Sequence, residues 1–321
     1  MSTTAAHAAR RREESAERRP LLAPWWRVVE DRNRLLFEHA GHVVELNGRA
    51  VRALLPALVP LLDGAHTVDE IVEILGEAAE APTAKALALL DGHGLLVEGP
   101  AESGSAACYV ASVCASMPGA AASALAGSRV AIFGSAATGA EIARLLGAAG
   151  VETESWDPTE TSGPNVDLIV AAVAAEEAGQ LADLNERCLR DATPWLALRP
   201  SDGRFTAVGP LYVPGQTACH ACFLLRRGAT SGYEDDFALL ERQPVRAPMP
   251  AATSMIAAGL AALICLRWLG ARDPTLPGAL YALELRGTLA LTRHRVLRVP
   301  RCPACGVASP QPSPWFRALD A

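Results

Sequence analysis

No run of apolar residues in this chain reads as long enough to cross a bilayer. The most apolar stretch, AATSMIAAGLAALICLRWLG, meets Arg267 after 16 residues, short of the roughly 20 that a span needs, and is expected to be a buried helix. A secretory signal is also missing: MSTTAAHAARRREESAERRP has no apolar core between its charges and a cleavage site. Residues 1–20 read instead as a disordered tail, in which Arg10, Arg11, Arg12, Arg18 and Arg19 are balanced by Glu13, Glu14 and Glu17. With neither signal, the expected location is the cytoplasm, where thiols stay reduced. A formal charge of −6 and a pI near 5.7 argue against a general nucleic-acid binder.

Catalytic constellations are equally scarce. Cys188 lies in DLNERCLRDA, a predicted helix with no neighbouring histidine, and Cys265 lies in the Ala-rich stretch, so both read as packing residues rather than nucleophiles. Asp235 and Asp236 follow the polar loop RRGATSGYEDD, where adjacent carboxylates are usually solvated rather than bound to magnesium. Cys108 and Cys114 have no CxxC partner and read as small packing residues.

What is present suffices for two domains, because half of the 321 residues are hydrophobic and domains usually hold about 100 to 200 residues. In residues 21–99 the runs WRVVE, RLLFEH and HVVELNG alternate as strands do. GRAVRALLPALVPLLDG then has helical spacing, TVDEIVEIL opens with a capping box from Thr67 to Glu70, a third helix is expected from Pro82, and LLVEG closes the segment as a strand. This order predicts a winged helix-turn-helix. Residues 100–127, rich in Ala, Ser and Gly, read as a linker with a short strand at ACYVASVC. Residues 128–321 alternate strand and helix through SRVAIFGSAATGAEIARLLGAAGVETESWDP, VDLIVAAV, LADLNERCLRDA and PWLALRP, which predicts a Rossmann-like α/β domain with a parallel sheet and crossover helices.

The first turn of that domain matches G-x-G-x-x-G at Gly134 and Gly139 but places Ala136 at the middle glycine, where a methyl group obstructs backbone approach to a phosphate. Asp157, after the next strand, is positioned to hold a ribose hydroxyl. Gly134, Gly139 and Asp157 together read as a vestigial nucleotide site whose glycines serve tight strand-to-helix packing.

Four of the eight cysteines form two CxxC words, CHAC at 219–222 and CPAC at 302–305. Each word turns two thiolates inward on a tight loop, and two words supply the four soft ligands that tetrahedral zinc prefers. Cys219, Cys222, Cys302 and Cys305 are therefore the expected ligands of a closed structural zinc site, with Pro303 stiffening the second turn and Gly306 permitting it. Two redox dithiols are disfavoured because thioredoxin-like context is missing. His220 and His294 read as surface residues beside the ligands.

GPLYVPGQTACHACFLLRR, its spacing to VLRVPRCPACG, and the closing PSPWF resemble the leader-peptide-binding partner proteins of thiazole/oxazole-modified peptide (TOMM) pathways, the ocin-ThiF-like companions of YcaO cyclodehydratases. The resemblance covers residues 21–321. Residues 21–99 are similar to the PqqD-like recognition element of systems that modify ribosomal (RiPP) peptides, and the region from Val130 to the ThiF and ubiquitin-activating fold. Where active members of that fold carry arginine and lysine to neutralise triphosphate, WDPTETSGPNVDLIV has neither, so ATP binding and adenylation are not expected here. The resemblance implies a non-catalytic subunit that binds a precursor leader as an added strand and docks a separate, ATP-using YcaO enzyme for azoline formation. The accepting edge would be residues 42–48 facing the third helix, with Val43, Val44, Glu45, Lys85 and Leu89 in contact. A homodimer is compatible with this reading. Its rivals are an ATP-dependent activating enzyme and a winged-helix regulator, the latter disfavoured by a third helix with one Lys and no Arg.

Overall fold

The computed structural model describes residues 17–31, 34–99, 104–134, 136–158, 163–174, 179–243 and 250–306. The chain divides into two compact units after Leu125.

In the first unit, β2 (Arg27–Asp31), β3 (Arg34–His39) and β4 (His42–Asn47) form an antiparallel sheet in the order β2-β3-β4. Ala40 and Gly41 join β3 to β4, both with positive φ, 52° and 81°, as a two-residue hairpin turn requires. Alternation buries Leu35, Phe37, Val44 and Leu46 on one face. They pack with Leu55 and Leu58 of α1 (Arg49–Leu58), Ile71 of α2 (Val68–Leu75), and Leu87 and Leu90 of α3 (Glu80–Gly92). The capping box is present: the Glu70 amide donates to the Thr67 hydroxyl at 3.3 Å and the Thr67 amide to the Glu70 carboxylate at 2.7 Å. Helix α3 starts at Glu80, two residues before Pro82. This is tolerated because first-turn amides have no helical acceptor.

Three expectations are corrected here. The segment read as tail reaches the fold at its end: Pro20–Leu22 form β1, which pairs antiparallel with β5 (Leu96–Glu98), while Arg18 donates to Glu98 and Asp91 at 3.1 Å each. Residues 1–16 lie outside the described residues. Instead of a strand in a linker, residues 100–127 contain two helices, α4 (Ser105–Cys114) and α5 (Pro118–Ala126). In ACYVASVC the buried residues are Ala107, Val110 and Ala111, a helical spacing, and alanine is the strongest helix former. The apolar stretch does not break at Arg267. It forms α10 (Ala251–Ala271), with Arg267 paired to the buried Asp273 beyond the helix end. Among the described residues it is the one helix long and apolar enough to cross a membrane, and half of its apolar window is buried.

The second unit is a mixed α/β fold around a seven-stranded sheet, β12-β11-β10-β9-β8-β6-β7. β6 (Arg129–Gly134), β7 (Glu152–Ser155), β8 (Leu168–Ala172) and β9 (Trp195–Arg199) are parallel, and β8 is buried throughout. β10 (Phe205–Tyr212), β11 (Ala279–Glu284) and β12 (Leu291–Arg295) extend it antiparallel. α6 (Ala136–Gly147) packs beside α10, and α7 (Gln180–Asp191) beside α8 (His220–Ala229), which is followed by α9 (Glu234–Leu240).

Thr67→Ala should remove the side-chain acceptor of the α2 cap and lower stability by about 1 kcal/mol, read from urea denaturation of the whole chain, whereas Thr67→Ser should stay within a few tenths.

Candidate functional site

The two cysteine words converge within the second unit. After β10, Thr217 folds the chain back: its hydroxyl accepts the Val213 amide at 2.9 Å. Cys219 follows as the residue capping α8, and Cys222 sits in that helix's first turn, where the unpaired amides and the helix dipole favour thiolate. The start of α8 is pinned from α7, because the His220 amide donates to the buried Asn185 side chain at 2.9 Å. The second word follows β12. Arg226 of α8 donates to the Leu297 and Arg298 carbonyls at 2.5 and 2.8 Å, and the Val299 amide donates to Cys222 Sγ at 3.3 Å. Gly306 closes the turn with its amide on the Cys302 carbonyl at 2.7 Å. A side chain there would collide with the Cys302 backbone.

All four sulfurs lie within 4.8 Å of one another. Cys219 to Cys222 is 3.9 Å, Cys219 to Cys302 is 3.7 Å, and Cys222 to Cys305 is 3.5 Å. Four ligands at about 2.3 Å from a tetrahedral ion would be about 3.8 Å apart, so the cluster fits a metal ion with little adjustment. Cys219, Cys222 and Cys302 are buried and Cys305 is half-buried, walled by Ala218, Leu189, Val296 and Val299. This leaves the site closed. Burial pushes the Cys219 and Cys222 thiols up. Burial acts the same way on Cys302, but the amides of Cys305 and Ala304, together with hydrogen bonds from the Cys222 and Cys219 thiols, bring that thiol down to about 7. A divalent cation would turn the raised thiols into thiolates and release their protons.

His220 departs from expectation. It is 3% exposed, its Nδ1 lies 3.3 Å from the Tyr212 hydroxyl, and its ring packs on Phe223. Burial, with Arg199 nearby, lowers its pKa to about 3. The word CHAC shows only that the residue follows a ligand, not that it begins a helix packed on the sheet. His294, on β12, is exposed as expected. Cys188 and Cys265 are buried packing residues, with burial pushing both thiols up to about 12.

At the nucleotide corner, Gly134 ends β6 with φ 105°, and a Cβ there would lie 2.6 Å from the Ala172 carbonyl of β8. A Cβ on Gly139 would meet Ile132 at 3.1 Å. Both glycines thus answer to packing. Asp157 is exposed just beyond β7, and Ser135 and residues 159–162 lie outside the described residues.

In the first unit, β4 is a sheet edge, and no strand pairs with its outer side among the described residues. Val43, 56% exposed, and Glu45 face outward, whereas Val44 belongs to the core. Lys85 and Leu89, one turn apart on α3, are both exposed. The exposed face of α3 thus joins two of the five expected residues, the outward face of β4 two more, and only the Val44 backbone is left for contact.

No family model and no curated protein sequence matches the chain. Among solved structures it is similar to the heterocyclase TruD, with 25% identity and a TM-score of 0.72 over 90% of this chain and 43% of that one. A heterocyclase in complex with substrate and cofactor gives 26% and 0.72 over 89% and 39%. E. coli MccB with ATP, at 14% identity and a TM-score of 0.63 over 89% of this chain and 99% of that one, shares the fold. The chain spans about two-fifths of the length of the heterocyclases it matches.

Metal analysis of purified protein should find one ion per chain. Cys219→Ser or Cys302→Ser should lose it, together with several kcal/mol of stability, on the order of 10 °C in Tm for a unit of this size. Because the ligands are thiolates, acidification should release the ion and neutral pH restore it.

Proposed function

We propose that the chain captures the leader of a ribosomal precursor peptide and presents it to a separate YcaO-type cyclodehydratase for azoline formation, without itself activating a carboxylate. The observation that supports this reading best is the extent of the heterocyclase match: TruD is followed over 90% of this chain at 25% identity and a TM-score of 0.72. On this reading ring formation belongs to the YcaO-type partner. On this reading the four cysteines hold structural zinc, and the first unit is a PqqD-like winged helix.

Leader capture uses β4. Its outer amides and carbonyls are available for main-chain pairing, which gives affinity with little sequence demand, while Val43, Glu45, Lys85 and Leu89 offer side-chain selectivity. Tethering the leader raises the local concentration of the segment to be modified near the partner enzyme. This chain need not touch the reacting bond.

One observation favours an alternative, an ATP-dependent adenylating enzyme: the fold extends over nearly the full length of MccB, a protein solved with ATP. Against it stand Ala136 in the glycine loop and a segment from Asp157 to β8 with no Lys or Arg, where triphosphate chemistry needs positive charge and oriented amides. Titration calorimetry with ATP and magnesium should give no binding heat and no pyrophosphate. Tight binding with pyrophosphate release would establish the alternative.

Fluorescence anisotropy of a labelled precursor leader against the whole chain should show saturable binding. Leu89→Asp and Lys85→Glu should each weaken it about tenfold, the effect expected from losing one anchoring contact, with metal content unchanged. Unaltered affinity in both variants would remove capture from this edge.

A further inference from the structure

The second unit has an open edge of its own. β12 ends the seven-stranded sheet, pairs only with β11 among the described residues, and is exposed along its whole length. Its charge is one-sided: between Leu285 and Gly306 the chain has five arginines, at 286, 293, 295, 298 and 301, and no acidic residue, in a protein of net charge −6. All five are exposed. Arg286, Arg293 and Arg298 donate to the backbone carbonyls of Gly203, Thr275 and Gly215, and none of the five has a carboxylate partner among the described residues. By contrast Arg18, Arg27, Arg34, Arg129, Arg144 and Arg204 each pair with Asp or Glu.

We propose that the outer edge of β12 docks an acidic, extended segment of a partner protein, which adds to the sheet as one more strand. Along β12 the side chains of Leu291, Arg293 and Arg295 alternate with those of Thr292, His294 and Val296. His294 and Val296 of the second set, together with Arg295, border a cavity of about 640 Å³ whose walls combine the apolar Phe205, Phe223 and Leu280 with the charged Arg199 and Glu241. An added strand of alternating acidic and apolar residues would place its carboxylates beside the arginines and its apolar side chains over the cavity. Main-chain bonds would supply the pairing, and the charges would supply the choice. The same charges oppose self-pairing, because a second copy of β12 brings arginine against arginine. A nucleic acid would satisfy the charge but not the row of amides and carbonyls. The inference goes beyond leader capture, involves the other unit, and stands or falls independently of it.

The test uses the whole metal-loaded chain and a fluorescein-labelled peptide of alternating Glu and Val, about six residues, the usual strand length. Anisotropy should show binding that weakens with salt, and none for the Lys–Val counterpart. N-methylation of alternate peptide amides should cost about tenfold, as should the double variant Arg293→Glu and Arg295→Glu, which removes two cross-strand attractions and adds two repulsions. Metal content and thermal unfolding report whether that variant folds. If it does not, the N-methyl comparison on the unaltered chain decides. Equal binding of the N-methylated peptide or of single-stranded DNA would reduce the edge to a general anion attractor and overturn the proposal, as would unchanged affinity in a folded variant. Dimerisation in sedimentation that the variant abolishes would assign the edge to a second copy and overturn it too. Leader binding, measured in parallel, should be unaffected by the variant.

Discussion

The corner of the second unit to which the chain returns after β12 turns on one requirement: four sulfur atoms, drawn from two segments some eighty residues apart in sequence, come within 4.8 Å of one another. The chain that brings the second pair is basic and largely exposed, and its half-buried Val296 and Val299 pack against the cysteines, with the Val296 amide on the Gly278 carbonyl at 2.9 Å. Once the words are together, the other contacts become short-range: Arg226 reaches the Leu297 and Arg298 carbonyls, Val299 donates to Cys222, and Gly306 folds onto Cys302. A metal ion held by the four thiolates, as proposed, would add its binding free energy to this small apolar cluster.

The glycine corner after β6 shows the converse, a sequence motif whose two glycines packing alone accounts for. Gly134 lies where β6 passes the β8 backbone too closely for a Cβ, and Gly139 lies where α6 crosses Ile132. Neither constraint refers to phosphate. Two features that phosphate would call for are missing from the sequence: the middle glycine, where Ala136 stands, and any Lys or Arg between Asp157 and β8. A glycine pattern by itself therefore says that a strand and helix pack closely, and only the charges around it bear on whether a nucleotide belongs there.

Legibility followed the range of the governing interaction. The strands at 27–47, the α2 capping box and the β6-to-β9 alternation were readable because their signals are local: period-two burial, a Thr67–Glu70 spacing, buried apolar runs. The cysteine cluster was also readable, since two CxxC words supply four thiols at the spacing a single ion favours. What escaped was set at long range. β1 is three residues whose strand character comes from β5, and Arg18 becomes structural only because Asp91 and Glu98 lie opposite it. His220 is buried because Asn185 of another helix pins the start of α8. The helices at 105–126 were misread for a different reason: small residues give weak periodicity of either kind, and alanine propensity decided the outcome.

The two open edges differ in a way that bears on what each can accept. At β4 two nearby charge pairs are already matched, Arg34 with Glu45 and Arg27 with Glu38, which leaves Val43, main-chain groups and the exposed Lys85 and Leu89 of α3. On the proposed reading an incoming strand there would be chosen by apolar fit with a single cation, and its binding should depend on salt less than binding at β12. At β12 the arginines have no carboxylate partner among the described residues, so long-range attraction would act before contact and weaken within a Debye length, about 8 to 10 Å at ordinary ionic strength. On the two proposals the edges would select by different physics, one mainly by apolar fit and the other mainly by charge, so a segment suited to one would gain little at the other.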